Sequence, residues 1–170
     1  ETVNELWVEK IDDFLKSNGI KKVVIPAGEN NKKIESVAKI WEFLSKNGAD
    51  RKSLLINIGG GMLTDLAGFA ATTFKRGIDF LNVPTTLLSQ VDASVGGKTG
   101  INFGGFKNEI GTFKEPVEVI INTDFLKTID SENFISGFAE MIKHGLIYSP
   151  EHLLELEKFD LKNIDYEHLQ

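Results

Sequence analysis

Arg76, Lys98, Lys107, Asn108 and Lys143 are cations and one amide in a chain whose formal net charge is −6. Each alone would pass for an ordinary surface residue. As a set beside glycine-rich segments they suit an anionic, phosphorylated substrate, because Arg and Lys bind phosphate through charge-assisted hydrogen bonds. Most of them fall in or next to PTTLLSQVDASVGGKTGINFGGFKN at 84–108, which places Thr, Ser, Gln, Asp, two Lys, two Asn and five Gly between two apolar runs. A core has no use for that mixture. Its glycines let the backbone come close to a ligand. A second group, Gly59, Gly60 and Gly61, follows an apolar run and opens a helix, where backbone N–H groups and the helix dipole favour a phosphate. A tight turn alone needs fewer than three glycines, although Asp65 could serve simply to favour the helix N-terminus.

Two familiar phosphate motifs are absent. GGKT looks like the end of a P-loop, but Asp92 stands where the first Gly of that pattern belongs; GGGMLT has Thr64 where a dinucleotide fingerprint needs its last Gly. Further along, Glu140, Lys143 and His144 are three and four residues apart and share one helical face. A Glu and a His at that spacing could both ligate one metal ion.

Five segments together are more specific than any one glycine loop: GGGMLTDLAGF at 59–69, KRG at 75–77, PTTLLSQVDASVGGKTGIN at 84–102, FKNEIG at 106–111 and SGFAEMIKHG at 136–145. In this order and spacing they closely resemble the 3-dehydroquinate synthase family, over a span from about Val23 to Leu146. One departure is visible, since the family usually has Gly where Thr64 stands. The resemblance implies NAD bound at the turn of Gly60, Gly61, Met62, Leu63, Thr64 and Asp65. It places Gly28, Glu29 and Lys32 around the adenosine, although the last two would otherwise read as solvent-facing charges. It places Thr85, Thr86, Asp92, Lys98, Lys107 and the turn of Phe125, Leu126, Lys127 and Thr128 along the cofactor. Thr85 and Thr86 could otherwise be helix caps. Lys143, Lys98, Arg76 and Asn108 are implied to be catalytic, facing a keto-sugar acid phosphate.

The resemblance also implies a divalent metal, zinc or cobalt, held by Glu140, with the position of His144 not a ligand. The family's other two ligands are histidines of a C-terminal helical domain. None of His144, His152 and His168 sits in such a motif, so the metal site is expected to be incomplete. The implied reaction converts 3-deoxy-arabino-heptulosonate 7-phosphate to 3-dehydroquinate and phosphate, a step of the shikimate pathway to aromatic amino acids. Catalytic NAD, a cytoplasmic location and a homodimer of the full-length protein go with it. The chain alone is expected to be inactive, lacking the first strands and nearly all of the helical metal domain. A sister sugar-phosphate cyclase would keep nearly all these motifs, and a non-catalytic nucleotide-binding module is a third reading. A metal-dependent alcohol or glycerol dehydrogenase shares the general fold but is not expected to carry GGKTGIN followed by KNEIG.

The elements that must position these residues follow from periodicity. Residues 4–18 predict a helix, with Trp7, Ile11, Phe14 and Leu15 on one stripe. KKVVIP predicts a buried strand, and Ile34 to Leu44 a second helix closed by Gly48. SLLINI, IDFLNV and VEVII predict strands; Leu63–Thr73 and about Glu132 to Ile147 predict helices. This alternation predicts an α/β fold, Rossmann-like, with a mainly parallel sheet and flanking helices. The loops after Ile25, Ile58 and Val83 lie at strand ends where such sheets bind ligands. Residues 1–148 are expected to form the NAD-binding domain and 149–170 the start of the helical domain. Ser149-Pro150 is the plausible linker, although Pro150 can also begin a helix.

At 170 residues, 41% hydrophobic and 26% charged, the chain can build one substantial core. The acidic balance argues against nucleic acid or an anionic membrane as partner. The last twenty residues hold six acids and two lysines. With no cysteine there are no disulfides and no thiolate metal sites. No run approaches the length of a membrane span.

Overall fold

The computed structural model describes residues 1–166 and 169; His168 lies outside the described residues. The helices are α1 (Thr2–Leu6), α2 (Asp12–Ser17), α3 (Ile34–Lys46), α4 (Gly61–Thr73), α5 (Ser131–Ile147) and α6 (Pro150–Leu156). The strands are β1 (Leu54–Gly59), β2 (Asp79–Pro84), β3 (Lys98–Phe103), β4 (Phe106–Phe113) and β5 (Glu118–Val119). β1, β2 and β5 form a parallel sheet in that order, and β1 and β2 pair from Leu54 opposite Asp79 to Gly59 opposite Pro84. The fold is the α/β arrangement with a parallel sheet and flanking helices that the alternation predicts.

Between β1 and β2 the chain returns through α4, most of which is buried. Its small residues, Ala67, Ala70 and Ala71, let neighbours approach its axis closely. α3 covers it with Val37, Ile40 and Leu44, spaced for one helical face. The antiparallel hairpin β3–β4 lies along it too, and a Cβ on Gly68 would come within 2.6 Å of Thr99 Cγ2. These elements share one apolar cluster with Phe80 and Ile101. A second cluster joins Leu87, Leu126, Phe134, Phe138 and Leu156, tying α5 and α6 to the segment after β2.

Three expectations need correction. The helix over 4–18 is broken, with a 3₁₀ turn at Val8–Ile11 between α1 and α2. Trp7 leaves the helical line because its ring packs edge-on against Phe125 and its indole N–H donates to Thr128 Oγ1 at 3.0 Å. KKVVIP forms no ladder. The Glu1 ammonium donates to the Ile25 carbonyl and Lys39 Nζ to that of Val24. Between this segment and β1 lies a cleft of about 530 Å³, lined among others by Val23, Ile25, Leu54, Ile56 and Ile58. Finally, the segment after Val83 is not all loop: Ser89–Ala93 forms a helical turn, and Lys98–Phe103 and Phe106–Phe113 form β3 and β4.

Pro150 begins α6, where the Ser149 hydroxyl accepts from the His152 N–H at 3.2 Å. Asp130 caps α5 by accepting from the Asn133 N–H at 2.8 Å. The seat of α5 is set by Gly137, where a Cβ would stand 2.6 Å from Leu87 Cβ and also strike the Leu88 backbone. Gly137→Ala should therefore destabilise the chain by about 1–3 kcal/mol through overpacking. Urea unfolding followed by circular dichroism measures this. An unchanged midpoint would mean that α5 does not depend on that close approach.

Candidate functional site

At the carboxyl end of the sheet, β1 runs into the glycine turn and β2 ends at Pro84, with the Thr85 N–H donating to the Gly59 carbonyl at 3.0 Å. Gly60 is the N-cap of α4 and supplies no side-chain cap; its carbonyl accepts from the Leu63 and Thr64 N–H groups at 2.9 and 3.1 Å, so the N–H groups of Gly61 and Met62 are left to other acceptors. Part of the glycine requirement is packing. A Cβ on Gly60 would sit 3.0 Å from Thr86 Cγ2, and one on Gly61 would sit 2.9 Å from Ala93 Cβ. Thr85 Oγ1 is buried beside this turn without a hydrogen-bond partner. A buried hydroxyl left so is costly unless a ligand group meets it. The turn and this hydroxyl thus fit the polar end of a nucleotide cofactor. Thr64, the departure from the family pattern, is buried and its hydroxyl donates back to the Gly61 carbonyl at 3.1 Å. Met62 and Leu63 pack against the first apolar cluster.

Lys32 is the surprise of the loop that follows residue 26. It is only 4% exposed, and its Nζ donates to Asp65 Oδ2 at 2.6 Å and to Asn108 Oδ1. Burial pushes the Asp65 carboxyl above its ordinary range, and the Lys32 ammonium opposes that shift. The loop is stitched to the hairpin twice more. The Asn102 N–H donates to the Lys32 carbonyl at 2.8 Å, and Asn102 Nδ2 donates to Glu29 Oε1 at 2.8 Å. Asn102 Oδ1 in turn accepts from the Asn108 N–H at 2.9 Å, holding Asn108 at φ 55°. In the sequence Asn102 has no separate role; its signal is its place in the polar central stretch, on β3 (KTGINF). Gly28 opens the 3₁₀ turn Glu29–Asn31 at φ 96°.

Another group gathers where α5 crosses the turn Ser89–Ala93. Asp92, Glu140 and His144 each offer a ligand atom, and these atoms all lie within 4.8 Å of one another. Glu140 Oε1 is buried and paired with the Lys143 ammonium, with His144 Nε2 3.3 Å away. That ammonium holds the Glu140 carboxyl below its usual range and is itself raised by the carboxylate. Asp92 acts on both Asp65 and Lys143 through its charge, so the two groups belong to one neighbourhood.

The remaining residues are placed differently. Arg76 stands at φ 71° in the 3₁₀ turn Phe74–Arg76, which follows about 12 Å of α4 beyond Asp65. Lys98 begins β3 opposite Phe113, exposed, and Lys107 is exposed near the hairpin tip. In the turn Thr123–Thr128, Leu126 is fully buried in the second cluster, Phe125 packs on Trp7, Lys127 pairs with Asp124 and Thr128 holds Trp7. Leu126 therefore faces core, and the turn's visible work is structural.

The family model for the 3-dehydroquinate synthase N-terminal region matches residues 22–136. A 3-dehydroquinate synthase of Parabacteroides distasonis is 54% identical over 162 residues, covering 95% of this chain and 45% of the relative. Among solved structures, a 2-epi-5-epi-valiolone synthase from Streptomyces hygroscopicus with NAD⁺ and Zn²⁺ bound superposes with a TM-score of 0.82 at 33% identity, covering 88% of this chain and 42% of that one. A 2-deoxy-scyllo-inosose synthase complexed with carbaglucose-6-phosphate, NAD⁺ and Co²⁺ gives 0.76 at 26% identity, with 88% and 47% covered. The chain thus spans less than half the length of the proteins it matches.

Lys32 and Asp65 carry the first test of this geometry. Lys32→Met leaves a largely buried carboxylate without its counter-charge, a loss of about 3–5 kcal/mol at neutral pH. A carboxyl raised in the folded state favours folding below the ordinary range and loses that contribution as pH rises through its raised value. Without Lys32 nothing opposes the rise, so the deficit should be largest at neutral pH and shrink towards about pH 3. Urea unfolding at both pH values reads the difference. A deficit independent of pH would separate Lys32 from Asp65.

Proposed function

The chain belongs to the 3-dehydroquinate synthase N-terminal family, and on that premise we propose that it is the NAD-binding part of an enzyme making 3-dehydroquinate and phosphate from 3-deoxy-arabino-heptulosonate 7-phosphate. The observation that carries this reading is the glycine turn at the head of α4, uncapped and beside the orphaned Thr85 hydroxyl. First-turn N–H groups and the helix dipole bind the pyrophosphate of the cofactor there. Thr85 and Thr86 border it, and Asp65 is held in place by Lys32. Lys143, Lys98 and Asn108 supply the positive charge and amide that hold the substrate's phosphate and carboxylate, and Glu140 is one metal ligand. When bound, NAD provides reversible hydride exchange and the divalent cation polarises a substrate oxygen.

What the protein's own residues contribute is position and polarity. Lys143 sits one helical turn from Glu140, so it can pair with Glu140 or reach a substrate anion. Asn108, fixed by Asn102 and Lys32, offers an amide N–H₂ whose direction is already determined. The two synthase structures hold a phosphorylated sugar analogue, NAD⁺, Zn²⁺ and Co²⁺ between them, which fits the same ligand set here. No helix among the described residues is long and apolar enough to cross a membrane. We place the enzyme in the cytoplasm, as a homodimer of the complete protein.

Calorimetric titration with NAD tests the cofactor half. The 170-residue chain should bind weakly and Asp65→Ala, checked for folding by circular dichroism, should weaken it further. Unchanged affinity would move the cofactor away from this turn. Steady-state kinetics of the complete enzyme test the substrate half. Lys98→Ala and Lys143→Ala should each lose about ten- to a hundredfold in kcat/KM, the worth of a hydrogen bond to a charged group, roughly 1.5–3 kcal/mol. Arg76→Ala is the sharper case, because its place beyond α4 sets it apart. Folded Arg76→Ala enzyme with unchanged kcat and KM would remove it from the substrate set.

A further inference from the structure

We propose that Asn102 is a positioning residue of this site: its single side-chain amide ties Asn108 to the cofactor-side loop, so that an ordered loop presents Asn108 to the substrate. The proposal rests on the synthase reading above, which uses Asn108 for the substrate and gives Asn102 no part in linking it to the cofactor. It starts from an irregularity in the hairpin. Ile101 pairs with Ile110 and Phe103 with Phe106, so Asn102 alone stands opposite Lys107, Asn108 and Glu109. Bulges of this kind re-aim side chains beside active sites. Here the bulged strand carries Asn108 at φ 55°, a left-handed conformation that a residue with a Cβ rarely keeps unaided. Asn102 Oδ1 holds it there by accepting from the Asn108 N–H at 2.9 Å, and Lys32 Nζ donates to the Asn108 side chain.

The other end of the same amide faces the loop. Asn102 Nδ2 donates to Glu29 Oε1 at 2.8 Å, and the Asn102 N–H donates to the Lys32 carbonyl at 2.8 Å. The two side-chain partners fix which way the amide lies. A backbone N–H can only donate and a carboxylate can only accept, so the amide oxygen must face Asn108 and its nitrogen Glu29. Aspartate, nearly the same shape, would keep the acceptor but set a second carboxylate against Glu29. The Lys32 ammonium, already engaged by Asp65 and Asn108, spans the same gap from below. Contacts that order the loop Gly28–Lys32 around a cofactor therefore also fix Asn102, and through it the left-handed Asn108. By reciprocity, a substrate held by Asn108 strengthens the loop's hold on the cofactor.

A donor–acceptor exchange in the complete enzyme tests this. Asn102→Asp, with the circular dichroism of the parent, should raise the calorimetric Kd for NAD and lower kcat at saturating NAD, each by about tenfold, the lower end for a hydrogen bond to a charged group. In the Glu29→Gln background the same substitution should cost less than about twofold in either quantity, because the new amide at position 29 donates to the new carboxylate at position 102. A penalty that Glu29→Gln leaves undiminished overturns the proposal. So does folded Asn102→Ala enzyme with parental kcat at saturating NAD. Should Asn102→Asp alone not fold, the double variant must fold and bind NAD as Glu29→Gln does, or the proposal falls. A parent enzyme that binds NAD but has no synthase turnover refutes the function proposed above and not this coupling, which the exchange in NAD affinity then decides by itself.

Discussion

One buried ammonium holds three walls of the site together. Lys32 brings the loop after residue 26, the first turns of α4 and the β3–β4 hairpin to a single point, where Asp65 and Asn108 accept its hydrogen bonds. A charge taken out of water is tolerated only when its partners are well placed, and here each partner is itself secured. Asp65 is fixed by its helix, and Asn108 by Asn102. The cofactor-side loop and the substrate-side hairpin are therefore not independent parts. A residue read as a contact to adenosine also acts as the internal strut of the cleft.

A second theme is contact without side chains. Gly61 lets the head of α4 meet Ala93, Gly68 admits Thr99 at its middle, and Gly137 lets α5 meet Leu87. Each brings a ligand-facing element closer than any side chain would allow. The turn that carries Asp92 is thus gripped from both sides, by α4 and by α5. Such packing explains why glycine-rich segments run through the interior as well as along its loops.

The parts legible in the sequence were those set by local periodicity. α3, α4, β1, β2 and α5 follow apolar spacing closely, and the strand-end glycines located the cleft. The hairpin escaped because Gly100, Gly104, Gly105 and Gly111 mask its alternation. The break at Trp7 escaped because its cause, a hydrogen bond to Thr128, lies 121 residues away. KKVVIP has the composition of a strand yet no ladder, since pairing depends on a neighbour and not on the segment. Lys32 read as a surface charge for the same reason: its acceptors arrive from α4 and β4. The grouping of His144 with Asp92 needed α5 to be docked on a turn fifty residues earlier, which no local pattern encodes.

The cleft beside β1 carries one more consequence. Along its outer side β1 shows backbone donors and acceptors, with Leu54 and Ile56 half exposed above them. Edges of this kind are templates for any extended chain that reaches them. A strand added there would lie about 4.7–4.9 Å away, in register with the same six residues that end at Gly59. Whatever occupies that edge would therefore stiffen the floor of the glycine turn, and an unwanted occupant would make the apolar rim a seed for aggregation.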